Sequence, residues 1–302
     1  MTDAAFSFEA VTKRWKAVEA LRGLTLTVPR GCVVGLIGRN GAGKSTAIRC
    51  LVGLQRPTSG TVRLLGEDPW TMSPESKERV GYMSERPIPF PAATAEDLMT
   101  FCARLYPRWD AELAGNLLGR FAVDPRRKIR DLSQGQQRAV ALLLALAPRP
   151  QVLVLDEPAA NLDPVMRRQF LDEVLDLVAG ADRTVLFSSH NLADVERVAN
   201  RIALLHEGRL LLARETDELK EGTRRLRLIF GTEAPAVLAI PGLVCLRRAG
   251  CEILATVEDY RDDLPAALAR STGARVEVSS VPLEELFIDL VGERAVPRMV
   301  AP

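Results

Sequence analysis

Hydrophobic positions along the chain follow two periods. From "FSFEAVTKRW" through "GLTLTVPRG", short β-rich runs are broken by Gly and Pro, which predicts strands joined by turns. The next run, "CVVGLIG", is almost wholly apolar and passes straight into a glycine-laden turn, predicting strand, loop and helix. The runs "VLVLD" (residues 152–156) and "TVLFSS" (residues 184–189) are too apolar for strands with one wet face. They alternate with helical stretches, as buried parallel strands do. The first ~220 residues therefore read as α/β.

Between residues 85 and 150 the strand signal fades. Amphipathic segments such as "TAEDLMTFCARLY" and "AELAGNLLGRF" predict a helical insertion into the α/β core. After Gly222 the pattern changes again. "RRLRLIF", "LVCLRRAGCEILATV" with a turn at Ala249-Gly250, a helix "DDLPAALARSTG", the strand "ARVEVSSV" and a Pro-started helix "PLEELFIDLVG" predict a small α+β unit. The expected domains are residues 1–221, with the helical subdomain at about 85–150, and residues 222–302.

Composition narrows the class. A chain of 302 residues, 47% hydrophobic, supports one large core and a smaller one. Forty basic residues against 39 acidic ones give a net charge of +1, without the basic bias of a nucleic-acid binder. The five cysteines are odd in number and never spaced C-x-x-C, so neither a disulfide framework nor a zinc site is indicated. The longest apolar run, residues 139–147, is far short of the ~20 residues that span a bilayer. "MTDAAFSFEA" lacks a basic stretch followed by an apolar one, so a cytoplasmic location is expected.

Two motifs carry chemistry. "GRNGAGKST", Gly38 to Thr46, fits G-x-x-x-x-G-K-[ST] between a buried strand and a helix, the signature of a P-loop NTPase core. Gly38, Gly41 and Gly43, with Asn40 between them, let backbone N–H groups turn inward around phosphate oxygens, and the helix N-terminus near Lys44 adds partial positive charge. Lys44 is expected to bridge the β- and γ-phosphates of ATP, with Ser45, followed by Thr46, ligating Mg2+. Alone, this loop does not separate a kinase, a GTPase and a transport ATPase. "VLVLDEP" adds Asp156 and Glu157 at a strand end, the first to hold magnesium and the second to act as base toward the attacking water. That pair argues for hydrolysis.

The order phosphate loop, "LSQGQ", "LDEP" and then an isolated His resembles the ATP-binding cassette ATPases of ABC transporters over about residues 5 to 220. The resemblance implies that Ser133, Gly135 and Gln136 cap the γ-phosphate of ATP held by a second subunit, in a dimer with two composite sites. A plain N-cap of the apolar helix, taken to run from Gln136, is the other role of Ser133. The common family form has Gly where this chain has Gln134. The resemblance further implies that Asp163 in "ANLDP" communicates between subunits, that His190 senses γ-phosphate and that Trp15 stacks on adenine. Glu85 stands where the family usually has a glutamine that touches magnesium and links to the membrane subunit. Ile88 and Phe90 follow, as core or as a face offered to a partner.

The implied protein is an ATP-hydrolysing subunit that pairs with itself and with a separate membrane permease, peripheral at the inner face of the membrane, with export favoured over import. "PLEELFIDLVG" looks like the end of the small C-terminal extension that many exporter ATPases carry, for which a regulatory, dimer-supporting or docking role is expected. The competing readings are a soluble ABC ATPase of DNA maintenance or translation, and a P-loop kinase for a small molecule.

Overall fold

The computed structural model describes residues 4–178 and 183–292. Strands β1 (Ala4–Trp15), β2 (Val18–Pro29) and β3 (Val33–Ile37) come first, and β3 runs through the phosphate loop into helix α1 (Lys44–Leu51). Strand β4 (Ser59–Leu64), the single turn α2 (Pro74–Lys77) and strand β5 (Val80–Met83) follow. Helices α3 (Ala95–Leu105), α4 (Ala111–Arg120) and α5 (Gln134–Leu146) then stand in succession. Alternation resumes with β6 (Val152–Leu155), α6 (Pro164–Val178), β7 (Thr184–Ser189), α7 (Leu192–Val198), β8 (Arg201–His206) and β9 (Arg209–Glu215). The remaining elements are α8 (Thr216–Gly222), β10 (Arg224–Ile229), β11 (Leu243–Ala249), β12 (Glu252–Val257), α9 (Leu264–Thr272), β13 (Arg275–Ser280) and α10 (Leu283–Val291).

Two compact units result, Met1–Ala213 and Arg214–Pro302, with the division inside β9 rather than after Gly222. Residues 293–302 of the expected second domain lie outside the described residues. In the first unit a six-stranded sheet has the order β5-β6-β7-β3-β8-β9, and every pairing from β5 to β8 is parallel. Every residue of β6 and β7 is buried, which explains why their sequences are apolar throughout rather than alternating. A second sheet, β2-β1-β4, is antiparallel. The buried Phe6 and Phe8 of β1 meet edge to face at 6.3 Å within a core that also takes Ile48 and Leu51 of α1 and Val152 and Val154 of β6.

The helical stretch is built from its caps. Thr94 and Asp97 exchange backbone and side-chain hydrogen bonds in a capping box at α3, and Asp110 accepts from the Leu113 amide at α4. Ser133 and Gln136 form a second box, so α5 begins at Gln134, two residues before the expected start. Each such cap is worth about 1 kcal/mol and fixes where its helix begins.

The second unit contains an antiparallel sheet of order β11-β12-β10-β13. Leu226, Leu228, Ile253, Ala255 and Val257 share its buried face with Leu264 and Leu268 of α9. Arg225 on the opposite face reaches Asp289 of α10 at 2.7 Å, and Thr256 Oγ1 donates to the same carboxylate. A second arginine, Arg247, also pairs with it. Buried Asp289 therefore anchors α10 to the sheet.

Candidate active site

Strands β6, β7 and β3 are parallel neighbours, so their carboxyl ends lie together. The chain leaves those ends at the phosphate loop, the Asp156-Glu157 pair and His190, as expected for a ligand crevice in an open α/β sheet. Gly43 is the N-cap of α1 with φ of 105°, and no side chain takes its first-turn amides. A Cβ at Gly43 would sit 2.5 Å from the Ala20 carbonyl oxygen, and Gly41 has φ of 83°, so both positions require glycine. The result is a cleft of about 420 Å³ lined by Asn40, Gly41, Lys44, Ser45, Thr46 and, from other elements, Glu85 and Glu157. It has the open backbone donors and, in Lys44 and Arg39, the cations that a polyphosphate requires.

Lys44 is buried, and its Nζ donates to the Gly38 carbonyl at 2.7 Å. The same ammonium lies 3.1 Å from Glu157 Oε1, an ion pair without a hydrogen bond aimed at that oxygen. The other oxygen, Oε2, is 2.8 Å from His190 Nδ1, where an Nδ1–H donates to it. Glu157 has φ of 47°, an unfavourable backbone for a residue with a Cβ. Its amide donates to Ser188 Oγ at 2.9 Å, which holds the turn and aims the carboxylate at Lys44 and His190. A buried carboxylate so fixed can accept a proton at one defined point.

Asp156 Oδ1 accepts from Ser188 Oγ at 2.9 Å and from Ser45 Oγ at 3.2 Å. Burial pushes its carboxyl above the ordinary range, opposed by those two hydrogen bonds and reinforced by Glu85 and Glu157. Ser45, Asp156 and Glu85 are hard oxygen donors that fit Mg2+. Among the described residues no cluster of three His, Cys, Asp or Glu side chains could hold a metal ion. Ser45 Oγ and the two carboxylates supply part of a hard-oxygen shell, which suits an ion that also takes phosphate oxygens, as magnesium does when it arrives with a nucleotide.

The raised Asp156 carboxyl has a consequence for stability. An acid whose folded-state pKa exceeds its unfolded one loses stability as pH climbs through that interval, so at neutral pH ionised Asp156 opposes folding. Asp156→Asn keeps an oxygen for Ser45 and Ser188. It should raise the melting temperature at pH 7 by a few degrees, with the gain shrinking in acid, while Mg2+-dependent hydrolysis is lost. A lower melting temperature at pH 7 would show that the ionised hydrogen bonds outweigh burial.

The other expected residues fall elsewhere. His190 lines a neighbouring cleft of about 510 Å³ beside the phosphate loop, together with Arg39 and His206. Trp15 lines neither cleft; it is half-exposed at the end of β1, with the Lys13 ammonium 4.4 Å from its ring centroid. Ser133, Gly135, Gln136 and Asp163 also line neither. Ser133 is exposed, but Gly135 is buried, with Met166 filling the space a Cβ would take. The Gln136 side chain accepts from the Ser133 amide and donates to the Ala122 carbonyl, so it is engaged within its own subunit. Asp163 accepts from the amides of Val165 and Met166 and caps α6. Ser188, which the sequence reading missed, was visible only as a polar residue closing an apolar strand two places before His190.

A parallel sheet whose strand tips gather a phosphate loop, a fixed carboxylate and a histidine defines a P-loop ATPase. The ABC transporter family pattern matches residues 21–160. The ABC transporter ATP-binding protein YtrB of Bacillus subtilis is 30% identical, over 91% of this chain and 94% of its own. A fluoroquinolones export ATP-binding protein of Mycobacterium tuberculosis is 34% identical, over 70% of this chain and 71% of its own. Among solved structures, an ATP-binding subunit of an ABC transporter superposes with a TM-score of 0.64 at 27% identity, over 72% of this chain and 92% of that one. The chain belongs to the ATP-binding proteins of ABC transporters. It is an ATP-hydrolysing subunit of such a transporter.

Proposed function

We propose that two copies of this chain enclose two Mg-ATP molecules and that hydrolysis reopens them, driving export through a separate membrane permease. The observation that carries the shared site is Ser133: it is exposed at the start of α5, yet lines neither cleft of its own subunit. With Gly135 and the first turn of α5 it would meet the γ-phosphate held by the partner's phosphate loop. The engaged Gln136 serves this site by fixing Ser133 rather than by touching ATP.

Within one subunit Lys44 takes the β- and γ-phosphates, and Ser45, Asp156 and Glu85 hold Mg2+. The ion supplies charge neutralisation at the phosphate oxygens. Glu157 accepts the proton of the attacking water, and His190 orients Glu157 and senses the γ-phosphate. Asp163 sets the end of α6 that faces the partner, and Trp15 offers its exposed ring to adenine.

Among the described residues no helix is long and apolar enough to cross a membrane. A separate permease accounts for the transport step and places the chain at the cytoplasmic membrane face. The export direction follows the fluoroquinolones export relative. Residues 214–292 form an accessory unit, regulatory, dimer-supporting or docking.

Phe90 is 57% exposed on a proline-stiffened loop beside the helical stretch, with Phe101 and Leu105 of α3 also exposed. Exposed apolar side chains on this stretch suit a permease contact. Replacing Ile88 and Phe90 together with Ser should abolish transport and co-purification with the permease, while the isolated chain keeps its melting temperature and binds ATP. An unfolded double variant would instead make the half-buried Ile88 a packing residue of the fold.

A further inference from the structure

Where the family usually has a neutral glutamine, Glu85 places a third carboxylate beside Asp156 and Glu157 at a cleft built for an anion. Lys44 is already engaged by Glu157 and by the Gly38 carbonyl. A further cation stands on α5. Arg138 Nη1 donates to the carbonyl of Ser84, the residue before Glu85, at 3.0 Å. Arg138 and Glu85 also line a common cavity of about 130 Å³, together with Gln134 and Gln137 of the same helix. Glu85 thus borders two spaces, the phosphate cleft on one side and the cavity under α5 on the other.

The guanidinium is partly desolvated, which pushes its pKa down, and the opposing pull comes first from Glu85, then from Asp156 and Glu157. Burying a cation is costly unless it is compensated, so its place on the Ser84 carbonyl, in a cavity shared with Glu85, calls for a compensating role. We propose that Arg138 is a positioning residue for Glu85, balancing its charge at the nucleotide cleft and tying the helix that carries Ser133 to the metal side of its own subunit. This rests on the assignment of Glu85 to the magnesium site and of Ser133 to the partner's ATP. Helix α5 then serves both composite sites: its N-terminus meets the partner's nucleotide, and Arg138, little more than one turn later, stands behind Glu85 of its own.

The test is a double-mutant cycle read by equilibrium binding of a fluorescent ATP analogue, with saturating Mg2+ and again with EDTA. Arg138→Gln removes one of the cations around Glu85, with Arg39 and Arg86 remaining at the rims of the two spaces, and should weaken metal-free binding about tenfold, the size of one nearby unit charge, with a much smaller loss in Mg2+. Glu85→Gln should tighten metal-free binding. Combining Glu85→Gln with Arg138→Gln restores neutrality and should return the metal-free affinity to within about threefold of wild type. Arg138→Lys, which keeps the charge, should also stay near wild type. If Arg138→Gln does not fold, the Glu85→Gln and Arg138→Lys arms still decide the matter. The proposal fails if the double variant is as weak as Arg138→Gln, or if Arg138→Gln lowers binding equally with and without Mg2+ as its melting temperature falls. That second result would leave Arg138 as a structural prop for Ser84. A wild-type chain that binds no analogue would overturn the phosphate-loop assignment itself, and this proposal with it.

Discussion

Glu157→Gln should lower steady-state ATP hydrolysis by ~10² or more and leave ATP binding intact. The substitution keeps the side chain's shape and its contact with His190, but the amide cannot take a proton from water. It also removes the charge that lies 3.1 Å from Lys44 Nζ. Lys44 keeps its hydrogen bond to Gly38 and is released from Glu157, so phosphate affinity should hold or rise. With binding preserved and hydrolysis blocked, a closed ATP-bound dimer should accumulate on size exclusion. Turnover near wild type would remove Glu157 from the role of base and leave His190 as the neighbouring candidate.

What could be read in the chain depended on how local each signal was. The phosphate loop was legible because its glycines act through backbone and its lysine and serine sit in the first turn of the helix that follows. The strands β6 and β7 were legible because burial on both faces leaves an unbroken apolar run. Strand order was not legible: no feature of "CVVGLIG" says that β3 lies between β7 and β8. The start of α5 was misplaced because a capping box depends on how Gln136 folds back on Ser133, not on the apolar period that follows.

The same limit governed the site. Asp156 and Glu157 were identifiable from their strand, but Ser188, which holds both, comes from a strand 32 residues away. Arg138 looked like one polar residue among glutamines, and only the packing of α5 against the 84–85 segment sets it facing Glu85. Trp15 matched by sequence position, but it lines neither cleft of its own subunit, and the Lys13 ammonium lies over its ring. Side chains grouped within one short segment stood out in the sequence; partners brought in from distant segments, such as Ser188, did not.

Mixing two crippled variants tests most directly whether each ATP is shared between two subunits. Lys44→Ala should empty a subunit's own phosphate loop of its cation, and Ser133→Arg should drive a bulky charge against the partner's nucleotide, so each homodimer loses both sites. In the mixture, the intact loop of the Ser133→Arg subunit meets the intact Ser133 of the Lys44→Ala subunit, giving one complete site per heterodimer. ATP-dependent dimerisation, measured by light scattering, should return in the mixture and be absent from either variant alone. A wild type that dimerises with ATP, beside a mixture that recovers neither dimer nor ATPase activity, would contradict the shared site and leave Ser133 as a helix cap.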